Sequence, residues 1–128
     1  MGLLDALRRR TDKQISGEHG EDQALQHLQV HGLTLLQRNF RCKGGEIDLI
    51  MQSGIELVFV EVRKRKQASA AAQFGGAAAS VTSAKQRRLI VAAQVYLKRY
   101  RMPPPCRFDV VAIDGDELTW LKNAIEAR

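Results

Sequence analysis

Two neighbouring stretches set the pattern of polar and apolar positions, Gly45-Glu46-Ile47-Asp48-Leu49-Ile50 and Leu57-Val58-Phe59-Val60-Glu61-Val62-Arg63. Side chains alternate faces along a strand, so Glu46 and Asp48 share one face of the first stretch, and Glu61 and Arg63 one face of the second. Leu57 and Phe59 precede Glu61 on its own face while Val58, Val60 and Val62 fill the other, which predicts a strand buried on both sides. Gln52-Ser53-Gly54 is a turn signal, and the shortest connection it allows is an antiparallel hairpin.

Helical spacing predicts a helix from Gly17 to His31, with Ala24, Leu25 and Leu28 as its apolar positions and Gly32 at its stop. Glu21 precedes Leu25 by one turn and Leu28 by two, extending the buried stripe toward the acidic strands; alternatively it favours the positive N-terminal end of its helix. A second helix is signalled by Ser83 with Gln86 three positions later, a capping-box pattern, followed by Leu89, Ile90, Ala93, Leu97 and Tyr100. Gln86 is expected to point inward, with Lys85, Arg87 and Arg88 around it as a basic surface for phosphates. Pro103-Pro104-Pro105 ends this helix, Arg107 to Ile113 reads as a third strand, and Leu118 to Lys122 as a fourth after the Asp114-Gly115-Asp116 turn. Residues 1–16, with Arg8-Arg9-Arg10 and Lys13, read as a basic N-terminal arm, and 17–128 as a single domain. The Ala-, Gly-, Ser- and Lys/Arg-rich segment at about 64–80 reads as a mobile loop beside the acidic strands.

At 128 residues the chain is long enough for one domain with one core. Twenty Lys and Arg against 14 Asp and Glu give a net charge of +6, which favours a polyanionic partner without requiring one. Cys42 and Cys106 form no C-x-x-C pair and suit free thiols in a reducing compartment. The opening Met1-Gly2-Leu3-Leu4-Asp5-Ala6-Leu7 lacks the hydrophobic core of a signal peptide, and no stretch approaches the length of a transmembrane helix, so the cytoplasm is the expected location and no membrane partner is expected. His27 and His31 have a zinc-compatible spacing, but nothing at a convincing spacing completes the set. The glycines form no nucleotide-binding fingerprint, and nothing positions a Ser-His-Asp triad.

What remains unexplained by a plain fold is the carboxylates. An ionised carboxylate on a buried strand is tolerated when it is paired, hydrogen-bonded or bound to a metal, so Asp48 and Glu61 read as part of a hard-cation site. The pair, with a residue two positions after Glu61, resembles the core of PD-(D/E)XK nucleases, where an Asp and a Glu on adjacent strands hold a divalent metal and a Lys serves the scissile phosphate. Asp48 and Glu61 match that pattern; Arg63 stands where the lysine is expected. At finer scale, Gly20-Glu21 with Ala24, Arg38-Asn39, Gly45 to Ile50, Phe59 to Arg63, Val81 with Lys85-Gln86 and Arg107 to Val111 make the chain similar to the uncharacterised YraN family of bacterial proteins, related to archaeal Holliday-junction resolvases.

The resemblance implies a restriction-endonuclease-like α/β fold, a central mixed β-sheet flanked by α-helices, and Mg²⁺ or Mn²⁺ as cofactor. It implies Asp48 and Glu61 as metal ligands, with Glu46 or Glu21 completing the set or holding a metal-bound water, a carbonyl ligand from Val62, and Gln86 orienting water or phosphate. A guanidinium stays protonated, so Arg63 offers charge and a planar fork to phosphate but no titratable amine, and Lys85 is the nearest alternative. The expected function is a metal-dependent DNA endonuclease, compatible with structure selectivity and a homodimer, with DNA preferred to RNA. The alternatives are an inactive nuclease-fold module that binds nucleic acid, an interaction protein keeping only the fold, or an inert salt-bridge cluster of Glu46, Asp48, Glu61 and Arg63.

Overall fold

A computed structural model describes the backbone of residues 12–65 and 81–126 and the side chains of 19–64 and 81–126. Five strands, β1 (Thr34–Cys42), β2 (Gly45–Ser53), β3 (Glu56–Arg65), β4 (Cys106–Asp114) and β5 (Glu117–Ile125), form one sheet in the order β1-β2-β3-β4-β5. β3 and β4 are parallel and the other pairs antiparallel, so the sheet is mixed, as expected. A parallel pair needs a long crossover, and this one contains α2 (Ser83–Leu97); α1 (Asp12–Val30) precedes β1. The architecture is α/β with a restriction-endonuclease-like core.

Each face of the sheet carries one helix. On one face Leu89, Ala92, Ala93 and Tyr96 of α2 pack on Ile47, Ile50, Leu57, Phe59, Phe108 and Val110. On the other, Ala24 and Leu28 of α1 pack on Leu49, Met51, Val58, Val60 and Val111. The double burial of β3 is therefore as its uninterrupted apolar run requires.

Several boundaries differ from the sequence expectation. Helix α1 begins at Asp12, inside the stretch read as an arm, and residues 1–11 lie outside the described residues. β3 continues through Lys64 and Arg65, and the remainder of the expected loop, 66–80, also lies outside them. The cap of α2 is Thr82 instead of Ser83: Thr82 is extended at φ −63° and ψ 159°, and its Oγ1 accepts the Lys85 N–H at 3.2 Å. The Gln86 side chain donates to the Val81 carbonyl at 2.9 Å instead of closing a capping box. The helix ends at Leu97, well before the prolines, and Tyr96 fills the core position expected further along the stripe. β1 was absent from the expected pattern altogether, because a register shift between Leu35 and Gln37 and a left-handed Asn39 scramble its alternation.

The contact that seats α2 on the sheet is made possible by an absent side chain. A Cβ on Gly45 would collide with the Arg88 carbonyl, and would stand 2.9 Å from the Ala92 nitrogen, so the helix backbone lies directly on β2. Backbone cannot yield as a flexible side chain does. Gly45→Ala is therefore expected to destabilise the fold by about 3 kcal/mol, whereas Gly32→Ala, with open space around it and only a positive φ to strain, costs about 1 kcal/mol. Urea unfolding of the two variants tests this, and equal losses would contradict the close approach.

Candidate metal centre

The β1–β2 ladder turns over in its middle. Arg38 and Leu49 are partners on the α1 face, where Leu49 joins the α1 core and Arg38 reaches the helix itself. Phe40 and Ile47, two positions along, are partners packed against α2. Residues two apart share a face in a regular strand, so the change must occur at Asn39 and Asp48. Asn39 supplies the geometry, with φ at 51° in the left-handed region that Asn tolerates better than most residues. Asp48 thus stands at the crossover, between the acids of α1 and those of β3.

Asp48 and Glu61 form a hydrogen-bonded acid pair. The Val62 N–H donates to Asp48 Oδ2 at 2.8 Å, fixing one carboxylate oxygen against the β3 backbone. Burial pushes the Glu61 carboxyl up to about 8, and the adjacent Asp48 charge pushes in the same direction. Burial also raises Asp48, against the lowering effect of the Val62 bond. Two close carboxylates cannot both ionise cheaply, so one proton is shared between them, with Glu61 as donor.

Glu46, Asp48, Glu61, Val62, Lys85 and Arg88 line one open cleft. Lys85 Nζ lies 3.9 Å from Glu61 Oε1, and Arg88 Nη2 lies 3.7 Å from Glu46. Glu21 flanks Asp48 from α1, and its carboxyl is raised by burial and then by the Asp48 charge. Arg38 clamps it at 3.5 Å while also holding Asp22 at 2.8 Å, and Asn39 hydrogen-bonds it. Gln86, bonded to Val81, and Arg87, exposed on α2, do not line the cleft. Among the described residues no ion pair joins Arg63 to either acid, and its Nε is buried without a hydrogen-bond partner. The Arg63 charge lowers the Glu61 carboxyl from a distance, but the expected cross-strand cluster of Glu46, Asp48, Glu61 and Arg63 has no direct Arg63 ion pair among the described residues.

The donor set suits a hard cation with few protein ligands. Among the described residues, no group of three or more His, Cys, Asp or Glu side chains gathers at ligand spacing. Two carboxylates in an open cleft, with the remaining positions left to water, would suit Mg²⁺ or Mn²⁺ better than Zn²⁺ or a fully caged Ca²⁺, and the contact shown at Val62 is its N–H on Asp48. The pair's retained proton marks negative charge that a divalent cation would neutralise.

A second buried acid shows the contrast. Asp109 is fully buried on β4 and accepts bonds from Arg107 Nε at 3.0 and 3.2 Å, Trp120 Nε1 at 2.9 Å and the Asn123 N–H at 2.8 Å. Arg107 also holds Glu56 at 2.7 Å. Every lone pair that matters is satisfied, so Asp109 is structural. His27 and His31 stack with ring centroids 4.3 Å apart, edge-on to Trp120, packing α1 on the sheet.

The model of "Uncharacterised protein family UPF0102" matches residues 20–113, a span that starts beside Glu21 and includes the whole cleft. The chain belongs to this family. A family protein of Janthinobacterium sp. (strain Marseille) is 69% identical over 127 residues, covering 99% of this chain and 100% of the relative. One from Herminiimonas arsenicoxydans is 66% identical over 128 residues, with the same coverage, and one from Ralstonia pickettii (strain 12J) is 58% identical over 111 residues, 85% of this chain and 88% of the relative. No helix among the described residues is long and apolar enough to cross a membrane.

The shared proton of this family member sets its stability against pH. Glu61 rises from 4.5 to about 8 on folding, so between those values the folded chain keeps a proton that the unfolded chain has lost. The metal-free protein is thus stabilised fully below pH 4.5 and loses that contribution as pH rises through 8. Glu61→Gln is expected to flatten this decline and to be more stable than wild type at pH 8.5, by on the order of 2 kcal/mol. Thermal melts from pH 5.5 to 9 in EDTA check this; parallel curves would remove the shared proton.

Proposed function

We propose that this protein is a metal-dependent endonuclease that hydrolyses phosphodiester bonds in DNA, with branched DNA among its candidate substrates. The observation that carries the reading is the half-buried Asp48–Glu61 acid pair, opening on a cleft that also presents Lys85 and Arg88. An acid pair in a nucleic-acid-attracting basic chain is chemically suited to hold a divalent ion against a phosphate. The resemblance to the PD-(D/E)XK core and to archaeal resolvases points the same way.

When bound, Mg²⁺ or Mn²⁺ supplies charge to the phosphoryl oxygens and acidifies water. Asp48 and Glu61 would hold such an ion, which requires loss of their shared proton, and the Val62 N–H orients Asp48 for it. Lys85 takes the part that Arg63 cannot, because its amine approaches Glu61 from α2 and can orient the attacking water at Nζ. Arg88 receives nonbridging phosphate oxygens through its fork. Glu21, clamped by Arg38, holds negative charge beside Asp48 and would be placed to accept hydrogen bonds from water on a bound ion.

A second reading, a module that binds nucleic acid without cutting it, is favoured by Arg63 in the lysine position. Two measurements separate them. Mn²⁺ titration calorimetry in buffers of different ionisation enthalpy is expected to show release of about one proton per ion at pH 6.5 and less above pH 9, with binding lost in Asp48→Asn and Glu61→Gln. Cleavage of linear, flapped and four-way DNA should then require Mn²⁺ or Mg²⁺, vanish in Asp48→Asn, and fall about 100-fold in Lys85→Ala. Metal and DNA binding without cleavage, with activity appearing in Arg63→Lys, would select the second reading. Unchanged Mn²⁺ affinity in both acid variants would remove both metal assignments.

A further inference from the structure

We infer that Glu46 is an internal stand-in for a substrate phosphate, holding Arg41 and Arg88 in a two-pronged clamp that a nucleic-acid backbone takes over by displacing it. This rests on the nucleic-acid reading above and adds to it both a residue outside the expected basic surface, Arg41, and a role for Glu46 other than metal binding.

The clamp is assembled from two independent placements. Register sets Arg41 of β1 directly across from Glu46 of β2, and its Nε lies 3.9 Å from Oε2. The missing side chain of Gly45 lets the Arg88 segment of α2 lie on β2, which brings Arg88 Nη2 to 3.7 Å from the other oxygen, Oε1. One carboxylate therefore stands between two guanidinium groups, at the mouth of the cleft that also contains Asp48 and Glu61.

Both contacts exceed hydrogen-bond length, and all three side chains are well exposed, with Glu46 at 49%, Arg88 at 58% and Arg41 at 77%. Exposed pairs with such geometry are weak and easily exchanged. A phosphodiester can accept a charge-assisted fork from each arginine, and its strand continues past the clamp toward Lys85. The exchange leaves Glu46 to solvent and sets the bound phosphate beside the acid pair. Glu46 consequently lowers affinity for polyanions generally while keeping the two arginines aligned in the free protein.

The test is metal-independent binding of a labelled duplex and a four-way DNA in EDTA, followed by anisotropy across a salt series, so that neither ion binding nor cleavage enters. Glu46→Gln is expected to bind about three- to tenfold more tightly than wild type, and more than the exposed control Glu117→Gln. The gain should vanish when Glu46→Gln is combined with Arg41→Ala and Arg88→Ala. A gain equal to that of Glu117→Gln, or one that persists without both arginines, would overturn the clamp while leaving the nucleic-acid reading intact. Failure of every form to bind DNA at low salt would overturn both.

Discussion

A single left-handed residue decides how the chemistry of this protein is presented. Asn39, at φ 51°, turns the β1–β2 ladder from the α1 face to the α2 face across one residue pair. Without that reversal Arg38 and Phe40 would lie on the same side of the sheet, and the strand could not both clamp Glu21 and pack its aromatic ring against Tyr96. Asp48 is the partner position of this reversal, and its carboxylate is available to groups arriving from either layer. The cleft is a product of irregular pairing as much as of the residues that line it.

The same device occurs a second time with the opposite result. Asn123 has φ 52° and sits where the β4–β5 register shifts between Phe108 and Val110, facing Asp109. There β5 brings the Asn123 N–H and the Trp120 indole onto the carboxylate, and the Arg107 guanidinium of its own strand completes its saturation. At Asp48 the face reversal leaves one backbone donor and a second acid. A half-buried and a fully buried aspartate opposite two left-handed asparagines therefore differ in their donors: Asp109 is closed off by its neighbours, and Asp48 is left with charge that a proton or a cation can balance.

Much of this was legible from spacing. The β2–β3 hairpin, the doubly buried β3, the helix stripes at Ala24 and Leu28 and at Leu89 and Ala93, and the convergence of Asp48 with Glu61 all follow from alternation and periodicity. β1 was not legible, because the register shift at Leu35–Gln37 and the left-handed Asn39 destroy the period on which strand recognition depends. With β1 unseen, the Arg38 clamp on Glu21 and the Arg41 contact with Glu46 had no strand to place them. Gly45 also gave no local signal of its role, since its necessity arises from Arg88 and Ala92, residues of a helix far along the chain. Asp109 read only as part of a strand, because its four bonds come from positions on both β4 and β5.

The sole tryptophan occupies an informative place in this arrangement. Trp120 donates its indole proton to Asp109, carries the Lys122 ammonium 4.5 Å from its ring centre, and meets His27 of α1 and His31 of the turn after it edge-on. Its fluorescence is therefore wired to the docking of α1 and to the closed carboxylate, on the sheet face away from α2. Emission from this one chromophore reports how α1 and the turn after it sit against the closed carboxylate of β4.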